Sequence, residues 1–76
     1  MAQWINVEDR SRWPTLRSKR DFVPVVVTDG SEVGMGLFCY RFDLDRDPSF
    51  TPIVRDRERI GLVTHFMPVY PLPITY

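Results

Sequence analysis

Apolar positions in this chain fall into short runs with two-residue spacing, separated by turn residues. Val25-Val26-Val27-Thr28 is continuous, β-branched and closed by Asp29-Gly30, which predicts a strand ending in a tight turn. Pro24 has no N–H for a ladder, so it belongs at that strand's start or on an edge. The next run, "EVGMGLFCYRFDLD", predicts a second strand. Met35, Leu37 and Cys39 alternate there with Gly36, Phe38 and Tyr40, so both faces are apolar in the middle. Such a strand is expected to be covered on both sides or to lie in a small barrel. Gly34 and Gly36 share a face, which predicts a strong bend or another segment crossing closely. "LVTHFM" is the last clear strand, stopped by Pro68. It sets Leu62, Thr64 and Phe66 on one face and Val63, His65 and Met67 on the other.

The rest of the chain is turn-like. In "NVEDRSR", Asn6 can cap a single helical turn with Glu8 and Asp9 in its first turn, and Trp13-Pro14 ends it. "PIVR" is expected to add a short strand, and "RDRERIG" to be a solvated turn ending at Gly61. Seven prolines and no long stripe of 3.6-residue period argue against a helical protein. The fold class expected is mainly β: a small, strongly bent antiparallel sheet of three to five strands, or an SH3-like partly open barrel, with one short N-terminal helical turn. The core is expected at Trp4, Val25, Val27, Leu37, Cys39, Leu62, Thr64 and Phe66, or at their strand neighbours.

Length sharpens this picture. Seventy-six residues make one domain, spanning 1–76. A domain that small buries only about 60% of the surface its unfolded chain exposes, so its stability margin is thin. Apolar residues make up 43% of the chain, enough for one small core. No apolar run approaches the roughly 18 residues needed to span a membrane. Acidic residues in "MAQWINVEDR" stand where a signal peptide carries its apolar segment, so a cytoplasmic location is expected.

Charge is balanced overall, with ten basic and ten acidic residues, and uneven along the chain. Residues 1–20 carry five basic and two acidic groups, and residues 21–50 carry two basic and six acidic. A neutral chain is a poor general polyanion binder, because nucleic-acid affinity comes mainly from phosphate neutralisation. The basic cluster of Arg17, Lys19 and Arg20, close to Trp13, is still a candidate anion or nucleic-acid contact. Asp43, Asp45 and Asp47 begin like a calcium loop, yet Pro48 replaces the turn glycine and Val54 the closing glutamate. A solvated acidic loop is the expected reading, and neither a metal nor a cofactor is expected.

One cysteine, Cys39, excludes an internal disulfide and any zinc site with paired thiolates. Its apolar context reads as a small buried hydrophobe. The lone histidine, His65, shares its face with Val63 and Met67. No nucleophile stands in a recognisable motif beside it, and a hydrolase would need convergent acid, base and oxyanion donors. His65 therefore reads first as a structural residue and second as a ligand contact. No enzymatic activity is expected.

Three segments carry a family resemblance. "WINVEDR" with Pro14 at the start, Val25 to Gly30 in the middle, and "VTHFMP" at the end resemble a phage and prophage family, domain-of-unknown-function family 551. Trp4, Ile5 and Val7 match its opening. Val63, Thr64, His65, Met67 and Pro68 match its closing motif, with Phe66 standing for the family's tryptophan and Asn6 for its serine. The resemblance implies a phage or prophage accessory protein in a bacterial host's cytoplasm, and it implies no activity. Trp4 packing on the strand that carries His65 would clasp the two ends of the chain together.

The tail "PVYPLPITY" is rich in proline and apolar side chains, with Tyr70 and Tyr76 suited to an interface. It is expected to pack on its own domain, along another protomer as a homodimer, or along a different protein. The function these features support is a non-enzymatic binding protein acting on a host or phage protein, with counter-defence as one use. The rival is a nucleotide-sequestering protein, in which Trp4, Trp13, His65 and the Arg17–Arg20 cluster would line one pocket. Weak nucleic-acid binding ranks third.

Overall fold

Five short strands make one antiparallel sheet in a computed structural model that describes residues 3–42 and 44–69. The strands are β1 (Ile5–Asn6), β2 (Phe22–Thr28), β3 (Val33–Cys39), β4 (Ser49–Pro52) and β5 (His65–Pro68), ordered β1-β5-β2-β3-β4. The outer strands β1 and β4 do not pair, so the sheet is open rather than a closed barrel. The chain between the strands adds two single 3-10 turns, at Arg10–Arg12 and Val54–Asp56. The apolar tail from Tyr70 to Tyr76 lies outside the described residues, as does Asp43.

The β-branched run does form β2, and the strand extends back through Pro24 to Phe22. β3 pairs along all of β2, from Phe22 opposite Cys39 to Thr28 opposite Val33. β5 pairs only with Val25 to Thr28. Pro24 therefore sits where β2 has a described ladder on one side alone, which tolerates its missing N–H. Asp29 and Gly30 turn the chain, and Gly30 takes a φ of 100°, a conformation that favours glycine. The Asp29 carboxylate accepts the backbone N–H groups of Ser31 and Glu32, each at 2.8 Å, and so builds the hairpin turn from its own side chain.

Strand alternation splits the sheet into two unlike faces. On one face stand Val25, Val27, Phe38 and Phe66, each almost fully buried, with Ile5 from β1. Burying a side chain of this kind contributes roughly 1.5–3 kcal/mol. The cover over this face has no regular helix or strand of its own. Val7, Trp13 and Leu16 come from the N-terminal segment, and Ile60 and Val63 from the segment before β5. Trp13 stands edge-on to Phe38 with centroids 5.3 Å apart, Phe38 meets Phe50 at 4.6 Å, and Phe50 stacks on Phe66 at 4.4 Å. A line of aromatic rings thus runs beneath the cover and joins both halves of the chain.

Several expected core positions belong elsewhere. Leu37 and Cys39 point to the opposite face, because their neighbour Phe38 takes the buried side. Trp4 is 40% exposed and Leu62 is 85% exposed; Ile5, Phe38 and Ile60 supply the burial instead. The strand expected at "PIVR" lies earlier, at Ser49–Pro52, and Val54–Asp56 is a 3-10 turn. Asn6 lies in β1 rather than capping a helix, although its Oδ1 accepts the Glu8 N–H at 2.8 Å. The single turn begins at Arg10, and Trp13 leaves it in extended conformation.

"RDRERIG" is not the solvated turn its charges predict. Asp56 and Ile60 are buried against β3 at Gly34. A Cβ on Gly34 would stand 2.6 Å from Ile60 Cδ1 and 2.8 Å from Asp56 Oδ2, so only glycine admits the crossing segment. Asp56 Oδ2 accepts the Met35 N–H at 2.9 Å, and the Ile53 N–H donates to the Met35 carbonyl at 3.0 Å. Together they finish the edge of β3 where β4 has not yet begun to pair, in place of a further strand.

Candidate functional site

The second face of the sheet has no comparable cover among the described residues. Its rows follow from the register. Asn6, His65, Thr28 and Val33 cross one end, then Met67, Val26 and Met35, then Pro24, Leu37 and Thr51, and finally Phe22, Cys39 and Ser49. Phe22 and Val33 are more than half exposed. None of these positions carries a formal charge, in a chain in which 26% of residues are charged. The centre is methionine, valine, leucine and proline, a surface that can repack against different shapes.

One end of this face holds a recess of about 320 Å3, lined by Trp4, Thr28, Gly30, Ser31, Val33 and His65. The clasp between the chain's ends builds it: β1 pairs with β5, Ile5 opposite Phe66 and Asn6 opposite His65, which sets Trp4 beside the histidine row. Thr28 is held by the turn. Its hydroxyl donates to the Glu32 carbonyl at 2.8 Å and accepts the Gly30 N–H at 3.0 Å. Thr64 donates its N–H to the Thr28 carbonyl at 2.9 Å, and its hydroxyl reaches the same oxygen at 3.4 Å. The Thr64 hydroxyl and His65 Nδ1 are hydrogen-bonded to each other at 2.9 Å. The site offers an indole, an imidazole and the Ser31 hydroxyl, a set that can contact a ligand through both ring faces and hydrogen bonds.

Cys39 lies in the last row of the face, at the end opposite His65, so thiol and imidazole do not pair. Partial burial raises the Cys39 pKa, which keeps it a thiol. No cluster of three or more metal-ligating side chains occurs among the described residues. Asp45 accepts the Phe42 N–H at 3.0 Å, and Asp47 pairs with Arg10 at 3.0 Å.

Of the candidate residues, the structure brings together Trp4 and His65 and separates them from the rest. Trp13 is on the other face, its Nε1–H donating to the Val7 carbonyl at 2.7 Å and the Arg10 guanidinium 4.6 Å above its ring. Arg17 pairs with Asp21 at 3.6 Å, and Lys19 donates to the Asp45 carbonyl at 3.1 Å. Arg20 is exposed on the same loop. The single pocket of Trp4, Trp13, His65 and the basic cluster is therefore not assembled. Tyr70 and Tyr76 lie outside the described residues.

Two carboxylates outside the candidate set anchor the Thr28–Ser31 turn and the β3 edge. Asp29 accepts the N–H groups of Glu32, Gly61 and Ser31, and these bonds hold its pKa down at about 2. Asp56 also lies below the ordinary carboxylate range, first through the Met35 N–H and then through the Arg59 guanidinium at 2.7 Å. An Asp-Gly turn pointed to the first. No local signal marks the second, because its donor lies 21 residues away. Comparison with family models, with curated proteins and with solved structures finds no match for this chain.

Proposed function

We propose that this is a non-enzymatic binding protein of phage or prophage origin that acts on a host or phage protein. One observation carries the reading: an uncharged, largely apolar sheet face that no described segment covers. Contiguous apolar surface of this kind marks interaction sites in folded proteins. Support for a role without catalysis is the separation of Cys39 from His65 and the engagement of His65 Nδ1 by Thr64. Phage origin rests on the Trp-Ile-x-Val opening and the Val-Thr-His-Phe-Met-Pro motif, whose residues meet in the β1–β5 pair.

A photo-crosslinking residue at Met35, on the face, tests the reading against the same residue at Arg12, exposed on the covering segment. In lysate of a bacterial host, a defined adduct from position 35 and none from position 12 is the expected result. Equal labelling from both positions, or none from either, removes the support for a docking face. The Trp4–His65 recess keeps a small-ligand reading in play. A nucleotide at 100-fold its dissociation constant would add about 2.7 kcal/mol of stability in a thermal-shift assay, and such a gain would move the assignment to that reading.

A further inference from the structure

We propose that the open face is occupied by a second copy of this chain, the two sheets packing face to face with Phe22 of each protomer seated in the recess beside Trp4 and His65 of the other. The inference rests on reading that face as the contact surface and names its occupant. Phe22 and the recess lie at opposite ends of one face, six residues apart along β2. A two-fold axis lying between the sheets and running across the strands reverses strand direction and keeps strand order. It therefore sets Phe22 of one copy over Thr28 of the other, and does the same in return. The contact is isologous: knob meets recess twice, and Leu37 meets Met35 twice between them.

Charge and shape both fit this occupant. In an isologous contact a charge near the axis meets its like, and these rows carry none. Arg55, Asp56 and Arg59 share a pocket with Val26, Val33 and Met35 at the β3 edge, and the axis sets these charges toward Thr51 and Ser49 of the other copy rather than toward their own like. Phe22 is an aromatic residue 57% exposed at the first position of β2, paired with Cys39 at the end of β3, and a recess of about 320 Å3 is large enough for a phenyl ring. Five strands at ~4.8 Å spacing and seven residues at ~3.3 Å give a plan of roughly 19 by 20 Å on each copy. Two such faces give at most about 760 Å2 of plan, below the roughly 1,200 Å2 at which standard specific interfaces begin. The dimer expected is therefore weak and reversible.

Sedimentation equilibrium of the full chain over a wide concentration range tests this. Wild type should dimerise reversibly. Phe22→Asp should raise the dissociation constant at least about tenfold, as loss of a seated aromatic anchor does. Val54→Asp, exposed and off the face, should leave it unchanged. Circular dichroism of each variant confirms that it is folded. Phe22→Tyr, which keeps the ring, should retain the dimer if Phe22→Asp fails to fold. A photo-crosslinker at position 22 should join one chain to residues 28–33 or 65 of another. A wild type monomeric at all concentrations, a dimer indifferent to Phe22→Asp, or a crosslink mapping elsewhere overturns the proposal. Dimerisation only after deletion of residues 70–76 overturns it too, and names the chain's own tail as the occupant. A monomer that still gives a host adduct from Met35 defeats this inference alone, whereas a face inert in both assays defeats the functional reading with it.

Discussion

Leu37 and Phe38 are adjacent in β3, similar in hydrophobicity, and held by the same hydrogen-bonded ladder. Phe38 is 1% exposed, locked between Trp13 and Phe50. Leu37 is only half-buried, with Pro24 and Thr51 as its cross-strand neighbours. Everything that distinguishes the two faces of the sheet is in that pair. One face is closed by the segments around Trp13 and Ile60, and folding energy is concentrated there. The other is left for contacts that folding does not require. An apolar residue on this chain is therefore either core or interface, and parity along the strand decides which.

The largest way to break the comparison is to cut into the closed face. Phe38→Ala or Phe66→Ala should each cost about 3–5 kcal/mol, the usual range for emptying a packed aromatic site. In so small a domain that approaches the whole stability, so urea melts should show little or no folded baseline. A loss below about 1 kcal/mol would mean that the aromatic line from Trp13 to Phe66 is not the core.

Much of this division was legible beforehand, and the failures have definite causes. The Val25–Thr28 run, the Asp29-Gly30 turn and the alternation of Thr64, His65 and Phe66 each depend on two-residue periodicity, which is local. β3 was ambiguous because both of its faces are apolar, and alternation cannot then say which side is covered. The choice was made by the glycines. Gly34 and Gly36 share a face with Phe38, and their missing side chains admit Ile60, Asp56 and Val27 on that side. Asp56 looked solvated because four other charges surround it in "RDRERIG", while its partner, the Met35 N–H, is remote in sequence. Trp4 and His65 could be paired from the ends of the chain. The recess they line also needs the Thr28–Ser31 turn, and no spacing rule foretells that.

A second, smaller effect sharpens the role of those glycines. Gly36→Ala puts a Cβ 2.8 Å from the Thr51 carbonyl oxygen and 2.9 Å from Val27 Cγ1. Backbone cannot swing aside as a long side chain can, so β4 must shift. The expected cost is about 1–3 kcal/mol, typical of overpacking. Hydrogen exchange should report it as faster opening of β4 than of β2. Unchanged protection in Ser49–Pro52 would show that the close approach is not maintained in solution.

Acid separates the two carboxylates that hold the closed side in place. Both pKa values are depressed in the folded state, so the stability they contribute is present above the unfolded value of about 4 and is lost as pH falls through the folded value. For Asp29 that window runs from about pH 4 down to about 2. Wild type should destabilise progressively across it, and Asp29→Asn should flatten the slope while lowering stability at neutral pH. An unchanged slope would mean that the bonds from Glu32, Gly61 and Ser31 to this carboxylate do not persist in solution.

The smallest expected effect returns to Leu37. Leu37→Thr introduces a β-branched side chain that suits a strand and removes apolar surface that is only partly buried. Its direct neighbours, Pro24 and Thr51, give cross-strand contacts worth no more than about 1 kcal/mol. Measured in dilute solution, the urea midpoint should move by at most that amount, against near-complete loss for Phe38→Ala one residue away. Concentration is the useful second variable. If the open face is a contact surface, the Leu37→Thr penalty should grow as the chain is concentrated, because wild type gains stability by association and the variant gains less. A penalty as large as that of Phe38→Ala in dilute solution would mean that Leu37 belongs to a packed core, and the contrast between the faces would then fail at its most direct test.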